Sequence, residues 1–295
     1  MAKNIFRGLG PALITPFTTA GDVDYEALRR LVSYQIDNGA DFLCVLATTG
    51  ETPCLSAEEK QKIIETVKEV NQGSVPILRY CGGNHTKSVV EELHSVDWTG
   101  IDGILSVCPY YNKPSQEGLY QHFKVISKES PLPLVLYNVP GRTGVNLKPQ
   151  TLLRLANECD NIVAVKEASG SLEQVDEIIK GKPEHFEVIS GDDALAYSMI
   201  ASGAVGVISV IGNALPKAFS LMIQLEFSGQ FDAALKIHHA FTELYKLLFV
   251  DGNPSGVKAL LNDMGMIENV LRLPLVPTTI DTKEKMACIL KSLKF

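Results

Sequence analysis

Short, unbroken apolar runs alternate along this chain with longer windows whose apolar residues recur every three or four positions. The runs fall at residues 11–15, 42–46, 75–80, 103–107, 134–137, 162–165, 186–189 and 205–210, which makes eight. Helix punctuation lies between them. Asp24 caps a helix bearing Leu28, Leu31, Val32 and Ile36, and Asn38-Gly39 ends it. Ser56 and Glu59 have capping-box spacing ahead of Ile63, Ile64 and Val67, with Gly73 at the far end. Pro149 suits the first turn of a helix over Leu152, Leu153 and Leu155, and Ser171 with Gln174 predicts a second capping box before a helix closed by Gly181.

Strands that are continuously Val/Ile/Leu, each followed by a helix, belong to a parallel sheet covered by helices. Eight such units predict an α/β fold of the (β/α)8 TIM-barrel type. An open doubly wound sheet would want GxGxxG after its first strand, whereas Gly8-Leu-Gly10 precedes the first run. After Gly229 only helical patterns remain, at 231–248, 255–264 and 282–293. The expected organisation is a catalytic barrel over 1–229 and a small helical C-terminal appendage over 230–295.

The length, 295 residues, suits one barrel plus an appendage. Basic residues number 27 against 34 acidic, a net charge of −7 with no basic run, so neither nucleic acid nor an anionic membrane is an expected partner. The six cysteines form no CxxC, and Cys44, Cys81 and Cys108 sit in apolar runs as small hydrophobes would. His238 and His239 are adjacent, a spacing that does not share a helix face, so no metal site is expected. The start of the chain carries Lys3 and Arg7, but Pro11 and Pro16 break its apolar stretch. It does not have the pattern of a signal peptide, and a cytoplasmic location is expected. Between Asp193 and Lys217 lie 23 uncharged residues, enough to span a bilayer. Three glycines and the β-branched run from Val205 fit a short helix and a buried strand better.

In such barrels the chemistry sits at the C-terminal ends of the strands. Those positions hold Thr15, then Thr48-Thr49-Gly50-Glu51, Tyr110-Tyr111-Asn112, Tyr137-Asn138 with Arg142 close behind, Lys166-Glu167 and Ser190-Gly191-Asp192-Asp193. Lys166 follows the apolar run 162–165 directly. An ordinary lysine is neutral in only about one molecule in 2,500 at pH 7. Partial desolvation at a barrel mouth disfavours the ammonium and exposes an amine able to condense with a ketone. Taken alone, Lys166 reads more readily as a solvated lysine at a strand end. Tyr137, on the neighbouring strand end, supplies a phenol that can pass protons to and from an imine. Thr48 and Thr49 offer hydroxyls and backbone N–H groups to a small carboxylate, or form an ordinary polar turn. Arg142 is a rigid fork for a second carboxylate, or a surface arginine. Together they suit carbon–carbon bond chemistry on keto acids, without metal.

The segments 10–17 (GPALITPF), 48–51 (TTGE), 109–112 (PYYN), 137–144 (YNVPGRTG), 165–168 (VKEA) and 206–210 (GVISV) recur in the order found in a known family. The chain resembles the pyruvate-dependent class I aldolases of the dihydrodipicolinate synthase and N-acetylneuraminate lyase superfamily over essentially its whole length. The double threonine and Arg142 resemble the dihydrodipicolinate synthase branch. The resemblance implies condensation of pyruvate with L-aspartate 4-semialdehyde, the first committed step towards diaminopimelate and lysine. It implies a covalent imine between Lys166 and pyruvate, and no cofactor. Tyr137 would relay protons, linked to Thr48 and to Tyr111 from a second subunit. Thr49 would hold the pyruvate carboxylate and Arg142 that of the semialdehyde, with Gly191 and Ile208 lining the pocket. A tyrosine given in trans implies a dimer, and the family's usual state is a tetramer built from dimers.

Two departures from the family pattern stand out. Ala47 replaces the usual glycine before the threonines. Asn84 and Tyr110 match the site at which lysine inhibits sensitive members, but Lys60 and Ser88 replace a histidine and a glutamate there, so weak or absent inhibition is expected. Two other functions fit the same residues: a lyase acting on N-acetylneuraminate or a 2-keto-3-deoxy sugar acid, and a silent barrel that binds a keto acid. The former generally differs at the Arg142 position, and the presence of both Lys166 and Tyr137 argues against the latter.

Overall fold

The computed structural model describes residues 5–293, so Lys3 lies outside the described residues. Strands and helices alternate as β1 (Gly8–Pro11), α1 (Tyr25–Asp37), β2 (Leu43–Val45), α2 (Ala57–Asn71), β3 (Ile77–Tyr80), α3 (Thr86–Ser95), β4 (Gly103–Val107) and α4 (Gln116–Glu129). The series continues with β5 (Leu134–Asn138), α5 (Pro140–Thr143), α6 (Pro149–Glu158), β6 (Ile162–Glu167), α7 (Leu172–Gly181), β7 (Glu187–Ser190), α8 (Ala196–Ala201) and β8 (Gly206–Ser209). Four helices follow: α9 (Pro216–Phe227), α10 (Phe231–Val250), α11 (Ser255–Asp263) and α12 (Ile280–Ser292). Among the described residues one eight-stranded sheet runs in the order β1-β8-β7-β6-β5-β4-β3-β2, the topology of a (β/α)8 barrel. The chain groups into two compact units, one of the residues up to Arg7 with Pro76–Ile208, the other of Gly8–Val75 with the residues from Ser209 onward.

In the first unit, β3 to β7 pair in parallel, and the apolar residues along them are almost wholly excluded from solvent. This is why these strands read as unbroken hydrophobic runs: both faces are covered. Lys166 and Glu167 belong to β6 itself rather than following it. Ser171 accepts from the Gln174 backbone N–H, but the Gln174 side chain donates to Glu167 and Asn146, so only half of the expected capping box forms. A nearby buried carboxylate outcompetes the helix end. The uncharged stretch 194–216 divides into α8, the buried β8 and the start of α9, and no helix among the described residues is long and apolar enough to cross a membrane.

In the second unit, Asp24 caps α1 through the Ala27 N–H, and the Ser56–Glu59 capping box on α2 is complete on both sides. The first strand differs from expectation. It runs over Gly8–Pro11 rather than 11–15, because after Leu13 the backbone leaves the ladder: the Ile14 N–H goes to the Asn213 side chain. Gly8-Leu-Gly10 therefore lies within the strand. A Cβ at Gly10 would meet the Phe42 ring at 2.1 Å, so this glycine serves packing, not a ligand. The helices α9 and α10 share an aromatic cluster of Phe219, Phe241 and Tyr245, with centroids 6.0–6.3 Å apart. None of the six cysteines forms a disulfide, and Cys44, Cys81 and Cys108 are buried.

Candidate active site

The register of β5 against β6 sets Tyr137 opposite Lys166. Both are buried, each 5% exposed, and the Lys166 Nζ lies 4.2 Å from the centre of the Tyr137 ring. A desolvated ammonium over an aromatic face is favourable, and the contact fixes the amine beside the phenol. Gly191, just past β7, leaves room for the Lys166 stem. A Cβ there would stand 3.0 Å from Lys166 Cγ and Cε and 2.9 Å from the Ala168 methyl. Its N–H donates to the Glu167 carbonyl at 2.8 Å. Ile208 lies on β8, the strand paired with β7, and is buried.

Under Tyr137 and Lys166 in sequence, their neighbours Asn138 and Glu167 form a buried polar network. Asn138 Nδ2 donates to both Glu167 oxygens (3.2 and 3.0 Å), Gln174 Nε2 donates to Glu167 at 3.2 Å, and the Ser169 N–H does so at 2.7 Å. Three donor groups, making four hydrogen bonds, satisfy a carboxylate that is 1% exposed and pin the ends of both strands.

Arg142 lies on α5, a single turn closed by Gly144 in the left-handed region at φ 74°. Its side chain is exposed and makes no ion pair among the described residues. The Tyr111 N–H donates to the Thr143 carbonyl, which joins the Tyr111 loop to the Arg142 turn. Tyr111 itself is 89% exposed at φ 73°, and Lys113 also has positive φ, 44°. Bulky residues in that region are strained, a cost found mainly where the surroundings or a function require the conformation. Asn84 braces the loop, donating to the Tyr110 carbonyl at 3.1 Å and accepting from Asn112 Nδ2 at its own carbonyl at 2.8 Å.

In the other unit, Thr48–Gly50 is a single 3-10 turn after β2. Two strained residues flank it, Leu46 at φ 61° and Glu51 at φ 53°. Ala47 has extended backbone at φ −82°, so a methyl group is accommodated there without the conformation only glycine would allow. The Thr15 hydroxyl donates to the Gly50 carbonyl at 2.7 Å, and Asn253 Nδ2 donates to the Thr49 hydroxyl at 3.1 Å. Glu51 forms an ion pair with Lys258 at 2.5 Å, both side chains wholly buried. Burial pulls the Lys258 ammonium down to about 8, opposed by the Glu51 carboxylate. Lys258 also donates to the Val270 carbonyl and lies 4.1 Å above the Phe17 ring. The second Glu51 oxygen accepts from the Arg272 N–H, and Arg272 grips Glu59 with both terminal nitrogens, at 2.7 and 2.5 Å.

Sequence reasoning singled out groups at six of the strand ends but missed their partners: Asn253, Lys258 and Arg272 from the C-terminal helical region, and the side chain of Gln174. Within the first unit the structure brings Lys166, Tyr137 and Gly191 together, and joins the Tyr111 loop to the Arg142 turn. Among the described residues no cluster of His, Cys, Asp and Glu is arranged to hold a metal.

The chain is similar to known proteins over nearly its whole length. Residues 5–293 match the dihydrodipicolinate synthetase family. A 4-hydroxy-tetrahydrodipicolinate synthase of Phocaeicola vulgatus is 60% identical over 294 residues, covering 100% of this chain and 99% of its own. The enzyme of the same name from Parabacteroides distasonis is 59% identical over 293 residues, 99% of each chain. The crystal structure of dihydrodipicolinate synthase from Thermotoga maritima superposes with a TM-score of 0.95 at 42% identity, over 98% of this chain and 99% of that one.

Proposed function

The chain belongs to the dihydrodipicolinate synthetase family, and from that premise we propose how its residues carry the family's reaction. The reaction is the condensation of pyruvate with L-aspartate 4-semialdehyde to 4-hydroxy-tetrahydrodipicolinate, a step of lysine and diaminopimelate biosynthesis. One observation carries the assignment of the nucleophile: Lys166 is buried, its Nζ 4.2 Å over the Tyr137 ring, in space that Gly191 leaves open.

The Lys166 amine adds to the keto carbon of pyruvate, and water leaves to give an imine. The protonated imine acidifies the neighbouring methyl group, which loses a proton to give an enamine. That carbon then attacks the aldehyde of the second substrate, forming the carbon–carbon bond. The semialdehyde's own amine displaces Lys166 as the ring closes, which returns the free enzyme. Tyr137 passes the protons these steps require, with Thr48 and a partner subunit's Tyr111 as its relay. The exposure and strained backbone of Tyr111 support its donation in trans, and hence a dimer from which a tetramer is built. Thr49 holds the pyruvate carboxylate, Arg142 receives the carboxylate of the semialdehyde, and Ile208 with Gly191 walls the pocket. No cofactor takes part. A cytoplasmic location belongs to the same reading, and so does the division into a catalytic barrel over 1–229 and an appendage over 230–295.

Borohydride reduction in the presence of pyruvate, followed by peptide mass mapping, tests the proposal. Expected is one pyruvate-derived adduct on Lys166, and no adduct there would overturn the mechanism. Turnover of N-acetylneuraminate in preference to aspartate semialdehyde would overturn the choice of substrate.

A further inference from the structure

Thr49 is held by a residue far away in sequence that none of the assigned roles uses. Asn253 is 6% exposed and immediately precedes the segment Pro254-Ser255 that opens α11. Its Nδ2 donates to the Thr49 hydroxyl oxygen at 3.1 Å, while its Oδ1 is buried without a hydrogen-bond partner. A hydroxyl has one proton to give and two lone pairs to receive with. When the amide nitrogen fills one lone pair, the proton of Thr49 is left pointing away from Asn253, free for an acceptor. Carboxylates only accept, so a hydroxyl polarised in this way is a matched partner for one.

The same short segment holds the turn at a second point. Lys258, five residues beyond Asn253, pairs with Glu51, two residues beyond Thr49. Thr15 fixes the Gly50 carbonyl between them. A Cβ at Gly50 would meet the Leu13 carbonyl oxygen at 3.1 Å, so the turn is also tightly packed against the residues after β1. Three successive positions of the turn are thus tethered, and of the three tethers only the one to Thr49 reaches a side chain given a substrate role. The others set the path of the backbone.

We propose that Asn253 is a positioning residue for pyruvate: by donating to the Thr49 hydroxyl it commits that hydroxyl to donate to the substrate carboxylate. The proposal rests on the assignment of Thr49 to that carboxylate, and a double-mutant cycle separates the two. Thr49→Val removes the hydroxyl at constant shape, and Asn253→Leu removes its donor without adding charge. Each single variant is expected to raise the KM for pyruvate roughly tenfold, the effect of losing or misdirecting one hydrogen bond to a charged group. The KM for the semialdehyde should stay within about twofold. The double variant should be no worse than Thr49→Val alone, since Asn253 then has nothing to orient. Additive losses, of about a hundredfold, would show that Asn253 acts otherwise and overturn the inference. If Thr49→Val raises the KM and Asn253→Leu does not, the inference alone falls. If Thr49→Val changes nothing, the carboxylate role of Thr49 falls and the inference with it. Asn253→Asp repeats the test in a side chain of unchanged shape. Its carboxylate can only accept, so it claims the Thr49 proton and the pyruvate KM must rise; wild-type KM in this variant overturns the inference as well.

Discussion

At the scale of single residues, the site depends on which atoms are absent as much as on which are present. Gly191 has no side chain, and the stem of Lys166 occupies the space one would fill. Gly191→Ala should keep the fold, because the atoms it meets belong to side chains, the Ala168 methyl and the Lys166 stem, and none to the backbone. It should lower the rate of pyruvate-dependent trapping by about 10²-fold, the usual effect of misplacing a reacting group by an ångström. Trapping at the wild-type rate would mean that Lys166 does not need that position. Glu226 on α9 shows a different residue-scale effect. It is 3% exposed, and neither oxygen has a hydrogen-bond partner. Burial lifts its carboxyl to about 8, well above an ordinary glutamate. With the folded value above the unfolded one, its contribution to stability is complete in acid. It is lost as pH rises from the ordinary value through about 8, because only the unfolded chain ionises readily in that window. Melting curves should therefore show Glu226→Gln with a flatter fall in Tm between pH 5 and pH 8 than wild type. Parallel curves would show that this group does not titrate there.

At the scale of elements, α11 and the residues flanking it clamp the turn after β2. Glu51 and Lys258 are both fully buried, and removing one partner leaves an uncompensated charge. Lys258→Met should cost about 3–5 kcal/mol of stability. That would show in chemical denaturation as a lower midpoint at unchanged slope, and a loss under about 1 kcal/mol would remove the pair from the set of strong contacts. The loop carrying Tyr111 is held in a strained backbone through Asn84. Asn84→Ala should relax that loop and depress turnover while pyruvate trapping on Lys166 persists. Equal loss of both would show a general disturbance instead.

At the scale of the whole molecule, the proposed donation of Tyr111 in trans would make activity depend on association. Specific activity should fall as the enzyme is diluted through the dissociation range seen by sedimentation. Tyr111→Phe should lower turnover at concentrations where the dimer is intact. Undiminished activity in a monomer would end the trans assignment. Feedback is the second property at this scale. Lys60 and Ser88 offer no carboxylate for the amine of lysine, and Ser88 already bonds to His85 at 2.7 Å. Inhibition by L-lysine should be weak or absent, and a curve saturating below a millimolar would overturn that expectation.

The alternation of apolar runs and helical windows by itself determined the eight strand–helix units, because a strand buried on both faces can tolerate few polar residues between its turns. It also marked Lys166 and Tyr137 as polar residues closing apolar runs, and the structure sets the two opposite each other on β6 and β5. It could not place the end of β1, which is set by Asn213 taking the Ile14 N–H from about 200 positions away. Nor could it show that Gly8 and Gly10 lie inside a strand, because only the Phe42 ring makes Gly10 necessary. The supporting partners were invisible for the same reason. Asn253, Lys258 and Gln174 look like ordinary polar residues near helix ends, and their roles come from contacts that local pattern does not encode. Periodicity records which face of an element is buried, but which distant group a buried polar atom pairs with is decided only when the chain is packed.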